Sequence, residues 1–280
     1  MEERTQQEKA ILFGQMHEGP GILVLPNAWD AASARLFEEA GFGAVATTSA
    51  GVANMLGYPD GQHVPREEML FMTRRIARSV RVPVTADIEA GYGVNSIEEV
   101  LTTVRGVLDA GVVGINLEDS DGDINGALVN VNLQIEKICA IRDLAASAGV
   151  PLVINARTDA FHLAKLGPAS QFSLAVERAA AYREAGADCI FTPFLTKPTT
   201  IGALVRAING PINVLAMPGG SSVSELEQLG VARVSVGAGP FRATLALVRR
   251  IAMELREEGS YRAFMDDALT YAEANALFKW

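Results

Sequence analysis

The stretch TADIEAGYG, residues 85–93, ends an apolar run on two carboxylates, Asp87 and Glu89, followed by two glycines. The residues before it, Val82 to Ala86, read as a buried strand. Acids at such a place either solvate a strand end or hold something positive. Other apolar runs also end on polar residues. ILVLPN ends on Asn27, AVATTS on Thr47, Thr48 and Ser49, GINLED on Glu118 and Asp119, and PLVINAR on Asn155 and Arg157. Asp60 lies in the segment LGYPDG. If these strands are parallel neighbours, Asp60, Asp87, Glu89 and Glu118 converge on one mouth with Arg157 opposite. Four carboxylates together repel and raise one another's pKa, and a divalent cation relieves that. Oxygen ligands without a His or Cys cluster suit Mg²⁺, or Mn²⁺ as a substitute, better than Zn²⁺. Because Mg²⁺ keeps several waters, one direct carboxylate with water-bridged neighbours satisfies it.

Each of these residues also has a plainer reading. A lone strand-end acid is commonly a loop solvator or helix N-cap, and Asp30 and Asp159 are read that way. Arg157 has a structural alternative as an ion pair with Glu118. Ser49-Ala50-Gly51 is a small-residue turn whose backbone N–H groups can cradle a carboxylate. Of the three histidines, His17 is expected on the surface of the first helix, and His63 and His162 in solvated loops. Their spacing offers no Ser-His-Asp arrangement. Gly91 and Gly93 let the backbone turn away after the two acids.

The elements that must position these residues show a repeated phrase. FEEAGFGAVATTS, LDAGVVGINLEDS, REAGADCIFTP and EQLGVARVSVG each read as a helix end, a glycine and a short apolar strand. The glycine suits the left-handed position that ends a helix. Near-continuous apolar strands suit a sheet covered on both faces. Strands are expected at about 22–27, 44–49, 82–88, 114–119, 151–157, 189–193, 212–217 and 233–237, with helical periodicity after nearly every one. Eight βα units in this length predict an α/β fold, a closed (β/α)8 barrel of the TIM type, whose chemistry lies at the C-terminal strand ends. An open doubly wound sheet is the alternative, weakened by the lack of a Gly-x-Gly-x-x-Gly after the first strand. Extra helices are expected at about 3–18 and 260–278. The latter carries a stripe of Phe264, Leu269, Ala272 and Leu277 that needs a partner surface. No linker divides residues 1–280, which read as a single domain.

The 280 residues carry a formal net charge of −9, with 49% apolar and 20% charged residues. That composition excludes a disordered chain. The charge and the absence of a Lys/Arg tract argue against nucleic acid as a partner. Cys139 and Cys189 form no CxxC pair and are expected in the core. No signal-peptide core and no run of about 18 apolar residues occurs, so a cytoplasmic protein with no membrane partner is expected.

In order along the chain, LPNAWDAASARLFEEAGF, TTSAGVANMLGYPDG, ADIEAGYG, INLEDS and INARTDAF resemble the isocitrate lyase / phosphoenolpyruvate mutase superfamily over residues of about 20 to 258. The resemblance implies a Mg²⁺-dependent barrel acting on small 2-oxo or 2-hydroxy acids through a pyruvate enolate. It also implies a homodimer or homotetramer that exchanges a C-terminal helix. By motif, Asp87 matches the direct metal ligand, and Asp60, Glu89 and Glu118 match the acids holding metal-bound waters. Asp60, Glu118 and Arg157 are the catalytic candidates, Arg157 matching the arginine on the substrate oxygen. Ser49, Ala50 and Gly51 match the turn that holds the α-carboxylate. The segment EDSDGDINGALVNVN lacks the cysteine that isocitrate and methylisocitrate lyases carry there. The sixth strand, CIFTPFL, has Pro193 and Phe194 where the phosphonate branch has His and Ser. Asn125 corresponds loosely to a loop asparagine of that branch and is a substrate-binding candidate. What remains is decarboxylation or retro-aldol C–C cleavage. The alternatives are phosphonopyruvate hydrolase or phosphoenolpyruvate mutase chemistry, and a silent barrel that binds metal and oxo acid without turnover. The Gly- and Asp-rich loop after Glu118 is expected to gate the site.

Overall fold

The computed structural model describes residues 4–120, 127–163, 165–265 and 268–279. Helix α1 (Gln6–Gln15) opens the chain, capped by Thr5 and Glu8. Then follow β1 (Leu23–Leu25), β2 (Asn27–Ala28), α2 (Ala31–Glu39), β3 (Val45–Thr47), α3 (Ser49–Leu56), α4 (Arg66–Ser79), β4 (Val84–Asp87), α5 (Ile97–Asp109), β5 (Gly114–Glu118) and α6 (Val131–Ser147). The rest comprises β6 (Val153–Arg157), α7 (Pro168–Glu184), β7 (Cys189–Thr192), α8 (Pro198–Ala207), β8 (Ile212–Leu215), α9 (Val223–Gln228), β9 (Arg233–Ser235), α10 (Gly239–Glu257) and α11 (Tyr271–Ala276).

All pairings in the sheet are parallel, in the order β1-β9-β8-β7-β6-β5-β4-β3-β2. The expected first strand is split at Pro26, which has no N–H to give a ladder. Its first part pairs with β9 and its second with β3. This joins the two ends of the sheet into a nearly closed barrel and excludes the open doubly wound alternative. The glycines expected to end helices, Gly41, Gly111, Gly186 and Gly230, all have φ between +85° and +108°.

Helix α1 closes the barrel floor. Phe13 is fully buried, and Gly114 makes room for it, since a Cβ there would lie 2.8 Å from Phe13 Cε1. His17, expected on the surface, is instead 6% exposed. Its Nδ1 donates to Phe13 O at 2.8 Å, which leaves Nε2 bare, 3.5 Å from Arg233 Nη1. Burial first and the Arg233 charge second push His17 down to about 4. Arg233 is itself fully buried, and its Nη2 donates to Asn116 Oδ1 at 3.2 Å. The sequence pattern missed this polar floor because a lone histidine on an amphipathic helix gives no sign of what packs over it.

Two other expectations are corrected. Cys139 is exposed, and only Cys189 is buried. The helix expected over 260–278 is broken. Gly259 turns at φ +63°, and the Glu254 carboxylate takes the N–H groups of Arg262 and Ala263. A 3₁₀ turn covers Arg262–Phe264, and Thr270 with Glu273 caps the short α11 anew. Leu277 then packs back on the same chain, where its carbonyl accepts from Arg35 Nε at 2.7 Å. Phe264, Leu269 and Ala272 of the expected stripe stay exposed, and α10 carries a second bare apolar face. Only Phe241 of that helix is buried, while Leu245, Leu247, Val248, Met253 and Leu255 are exposed. Finally, α4 exposes Arg74, Arg75 and Arg78, a local basic cluster that the net charge conceals. Among the described residues, no helix is long and apolar enough to cross a membrane.

Candidate active site

The C-terminal strand ends surround a cleft of about 270 Å³, lined among others by Ser49, Asp60, Glu89, Glu118, Arg157, Asp159, His162 and Phe194. Register explains the convergence. Asp87 pairs with Asn116, and Glu118 pairs with Arg157. Side chains alternate along a strand, so these residues follow one another around the inner rim.

Asp87 ends β4. Its backbone N–H donates to Thr47 Oγ1 at 2.8 Å. Its Oδ2 accepts from the Ser49 N–H at 3.0 Å and the Ser49 hydroxyl at 2.8 Å. Its Oδ1 is buried and has no hydrogen-bond partner among the described residues. A buried carboxylate oxygen without a donor costs free energy unless a cation or water meets it. Glu89 stands two residues on, 7% exposed, with its Oε2 accepting from the Gln62 N–H at 2.7 Å. Burial first, and the charges of Asp60 and Asp87 next, push Glu89 up to about 8. Asp60 sits at the exposed rim, and its carboxyl is raised by partial desolvation and then by Asp87. Glu118 is raised as well, by burial against the pull of Arg157. This is the mutual perturbation expected of acids gathered without a cation.

The backbone beneath is strained. Glu89 and Tyr92 have φ of +54° and +59°, beside Gly91 at +82°. Gly91 turns by its left-handed φ. Gly93 does so by close approach, since a Cβ there would meet Ser96 O at 2.6 Å. The expectation for the two glycines holds, but the left-handed Glu89 was not foreseen.

Arg157 realises both of its readings. Its Nη1 donates to Glu118 Oε1 at 2.6 Å, and its Nε and Nη2 grip Asp159 at 2.7 and 3.0 Å. Those three bonds leave two of the five guanidinium N–H groups for a ligand. Asp159 is therefore not a solvated cap. It is 5% exposed and orients Arg157. Behind it, the Asp159 N–H donates to Asp119 Oδ1 at 2.9 Å, and Asp119 Oδ2 accepts from Arg178 at 3.0 Å and Tyr182 at 2.7 Å. The sequence paired Asp119 only with its neighbour Glu118, because nothing local marks Arg178 and Tyr182, 59 and 63 residues on, as partners. By contrast Asp30 does cap α2, through Ser33.

Ser49, Ala50 and Gly51 form the first turn of α3 and not a free loop. The Ser49 N–H serves Asp87, and the Gly51 N–H serves Thr48 Oγ1 at 3.3 Å. Of the three residues, Ser49 lines the cleft. His162 also lines it and stacks on Phe194 with ring centroids 4.3 Å apart, whereas His63 is exposed. Asn125 and most of the loop expected to gate the site lie outside the described residues.

Among the described residues, no three His, Cys, Asp or Glu side chains form a direct-ligand group for a metal ion. The donor set still fits a hard cation that keeps most of its waters. Asp87 Oδ1 is one free, buried carboxylate oxygen, and Glu89, Glu118 and Asp60 are acids within one cleft.

A parallel α/β barrel with an acidic mouth and a clamped arginine defines a class of barrel enzyme. The phosphoenolpyruvate phosphomutase family model matches residues 13–256, and the chain belongs to that family. It lies within the isocitrate lyase / phosphoenolpyruvate mutase superfamily of lyases and mutases. A 2-methylisocitrate lyase of Aeropyrum pernix is 30% identical over 95% of this chain and 86% of its own. The crystal structure of a candidate lyase/mutase from Burkholderia cenocepacia J2315 superposes with a TM-score of 0.89 at 35% identity, covering 98% of this chain and 97% of the other. That of an oxaloacetate acetylhydrolase has a TM-score of 0.85 at 25% identity, covering 98% and 94%.

Proposed function

We propose that this enzyme is a Mg²⁺-dependent lyase that cleaves or decarboxylates a small 2-oxo or 2-hydroxy carboxylic acid through a pyruvate-type enolate. The observation that carries the reading is the unpartnered, buried Asp87 Oδ1 in a cleft that also holds Arg157. Asp87 is the direct ligand, and Asp60, Glu89 and Glu118 hold ligand waters. When bound, the cation supplies Lewis-acid stabilisation of negative charge developing on the substrate oxygen.

The chain's own residues do the rest. Arg157, fixed by Glu118 and Asp159, presents its two remaining N–H groups to that oxygen, and a preorganised donor needs no reorganisation at the moment of reaction. The first turn of α3 is the seat for the substrate carboxylate. There it competes with Asp87 for Ser49, so the Ala50 N–H is the donor that carries least prior engagement. Burial raises Glu118, and it pushes Glu89 up to about 8, which makes Glu89 a group able to hold a proton near neutral pH. Activities named for relatives, 2-methylisocitrate cleavage and oxaloacetate hydrolysis, fall within this reaction class. Residues 1–280 are read as one catalytic domain. The exchanged C-terminal element comprises α10 and the segment after it, both of which expose apolar residues.

The test is EDTA-sensitive release of pyruvate or another 2-oxo acid from a panel of oxaloacetate, 2-methylisocitrate, a 2,3-disubstituted malate and phosphonopyruvate. Turnover of one carbon acid, lost with EDTA and restored by Mg²⁺, is expected. Phosphate release from phosphonopyruvate faster than any C–C cleavage would overturn the lyase reading.

A further inference from the structure

The catalytic cleft is small and polar, with room for the head of an acid. A second cavity of about 530 Å³ lies directly beside it, lined by Phe161, Phe172, Leu195 and Ala203, with Lys197 and Thr200 among its polar residues. Among the described residues, no Asp or Glu lines it. The two spaces share one wall, Phe194. On the neighbouring segment Phe161 faces the second cavity, while His162 and Leu163 face the first.

Phe194 is unusual in its own right. It has φ of +68°, a left-handed backbone that strains a non-glycine residue. Burial does not offset this, because the side chain is 37% exposed. Its contacts lie on the catalytic side. It stacks on His162, and the Arg157 guanidinium lies 5.9 Å from its ring centroid. The wall between a polar cleft and an apolar cavity is thus a strained, solvent-facing aromatic ring in contact with the residues that meet the substrate.

We propose that the second cavity is a subsite for the substrate's side chain, and that the preferred substrates are 2-oxo or 2-hydroxy acids bearing an extended apolar alkyl or aryl-alkyl group, which passes Phe194 into it. This rests on the lyase reading of the cleft and adds the substituent which that reading leaves open. The occupant follows from continuity: a chain attached to a head group at Arg157 reaches the cavity past Phe194. The aromatic and aliphatic lining favours apolar area.

The test is calorimetric titration of the whole protein, with Mg²⁺ present, by oxamate and a series of N-alkyl oxamates from methyl to hexyl and benzyl. Oxamate presents a 2-oxo acid head that the enzyme cannot cleave. Kd is expected to fall about fourfold for each added methylene until the cavity is filled. Ala203→Trp, which fills the cavity from α8, is expected to flatten that dependence. The matching 3-alkylmalates should show the same trend in kcat/KM. Equal Kd for oxamate and its hexyl derivative would overturn the subsite while leaving the lyase reading intact. Failure of oxamate itself to bind, together with no turnover of the acid panel, would overturn both. If Ala203→Trp changes the sedimentation of the free protein and leaves the chain-length series untouched, the cavity belongs to a contact between copies and the subsite is overturned.

Discussion

His17 gives a prediction whose size follows from the structure. The perturbation is a drop from pH 7 to pH 5, applied to the wild type and to His17→Gln. In the fold His17 titrates at about 4, against 6.5 for an ordinary histidine. Its bare Nε2 faces the buried Arg233 cation, so a proton added there meets a like charge in a dry place. Between pH 6.5 and 4 the unfolded chain binds this proton and the folded chain does not. Stability therefore rises with pH across that window, is fully present above about 6.5, and is lost as pH falls toward 4. Between pH 7 and pH 5 the loss is about 2 kcal/mol. The amide of the His17→Gln variant can still donate to Phe13 O and accept from Arg233, but it has no proton to gain. Other titrating groups are common to both proteins and cancel in the comparison. With a urea slope of about 3 kcal/mol/M, the wild-type midpoint should fall about 0.6 M further than that of the variant. Equal falls would show that the histidine is not buried against Arg233, and the account of the barrel floor by α1 would fail with it.

Four further outcomes can be checked directly. Asp87→Ala should remove Mg²⁺ dependence and lower kcat/KM by about 10³-fold or more, and full activity of that variant in EDTA would refute the metal assignment. In EDTA-treated protein the Glu89 contribution is fully present below about 4.5 and lost as pH rises through about 8. The urea midpoint should thus decline over that range and recover on adding Mg²⁺, and a decline that Mg²⁺ leaves unchanged would speak against a cation at these acids. Arg178→Met leaves Asp119 buried without its ion pair and should cost about 3–5 kcal/mol in urea unfolding, whereas Tyr182→Phe should cost about 1–2 kcal/mol. Val248→Asp, on the bare face of α10, is expected to sediment as a smaller species than the wild type in sedimentation velocity. An unchanged sedimentation coefficient would show that the face is not covered by another copy.

What the sequence made legible was what is local or periodic. The four repeated glycines mark helix ends because only a left-handed residue stops the helix and aims the chain into the next strand. The barrel follows from counting such units. Asp87, Glu89, Glu118 and Arg157 could be brought to one rim because strand ends in a parallel barrel share an end by construction. The partners of those residues were not legible, because pairing across a barrel depends on register and reach. Asp159, read as a cap, grips Arg157. Asp119 draws on Arg178 and Tyr182 from α7, and Ser49 commits its donors to Asp87 before any substrate arrives. The continuous helix expected over 260–278 failed for a related reason. Periodicity shows that a helix has an apolar face, but not whether the rest of the chain covers it. Over 260–278 a glycine, an acid accepting backbone N–H groups and a new capping box break the periodic run, while Phe264 and Leu269 stay exposed, as does the apolar face of the helix before them. The acids themselves carry the same lesson into chemistry. Their identity predicts a cation, and the buried, unpartnered oxygen of Asp87 is the observation from which the proposal chooses among the four.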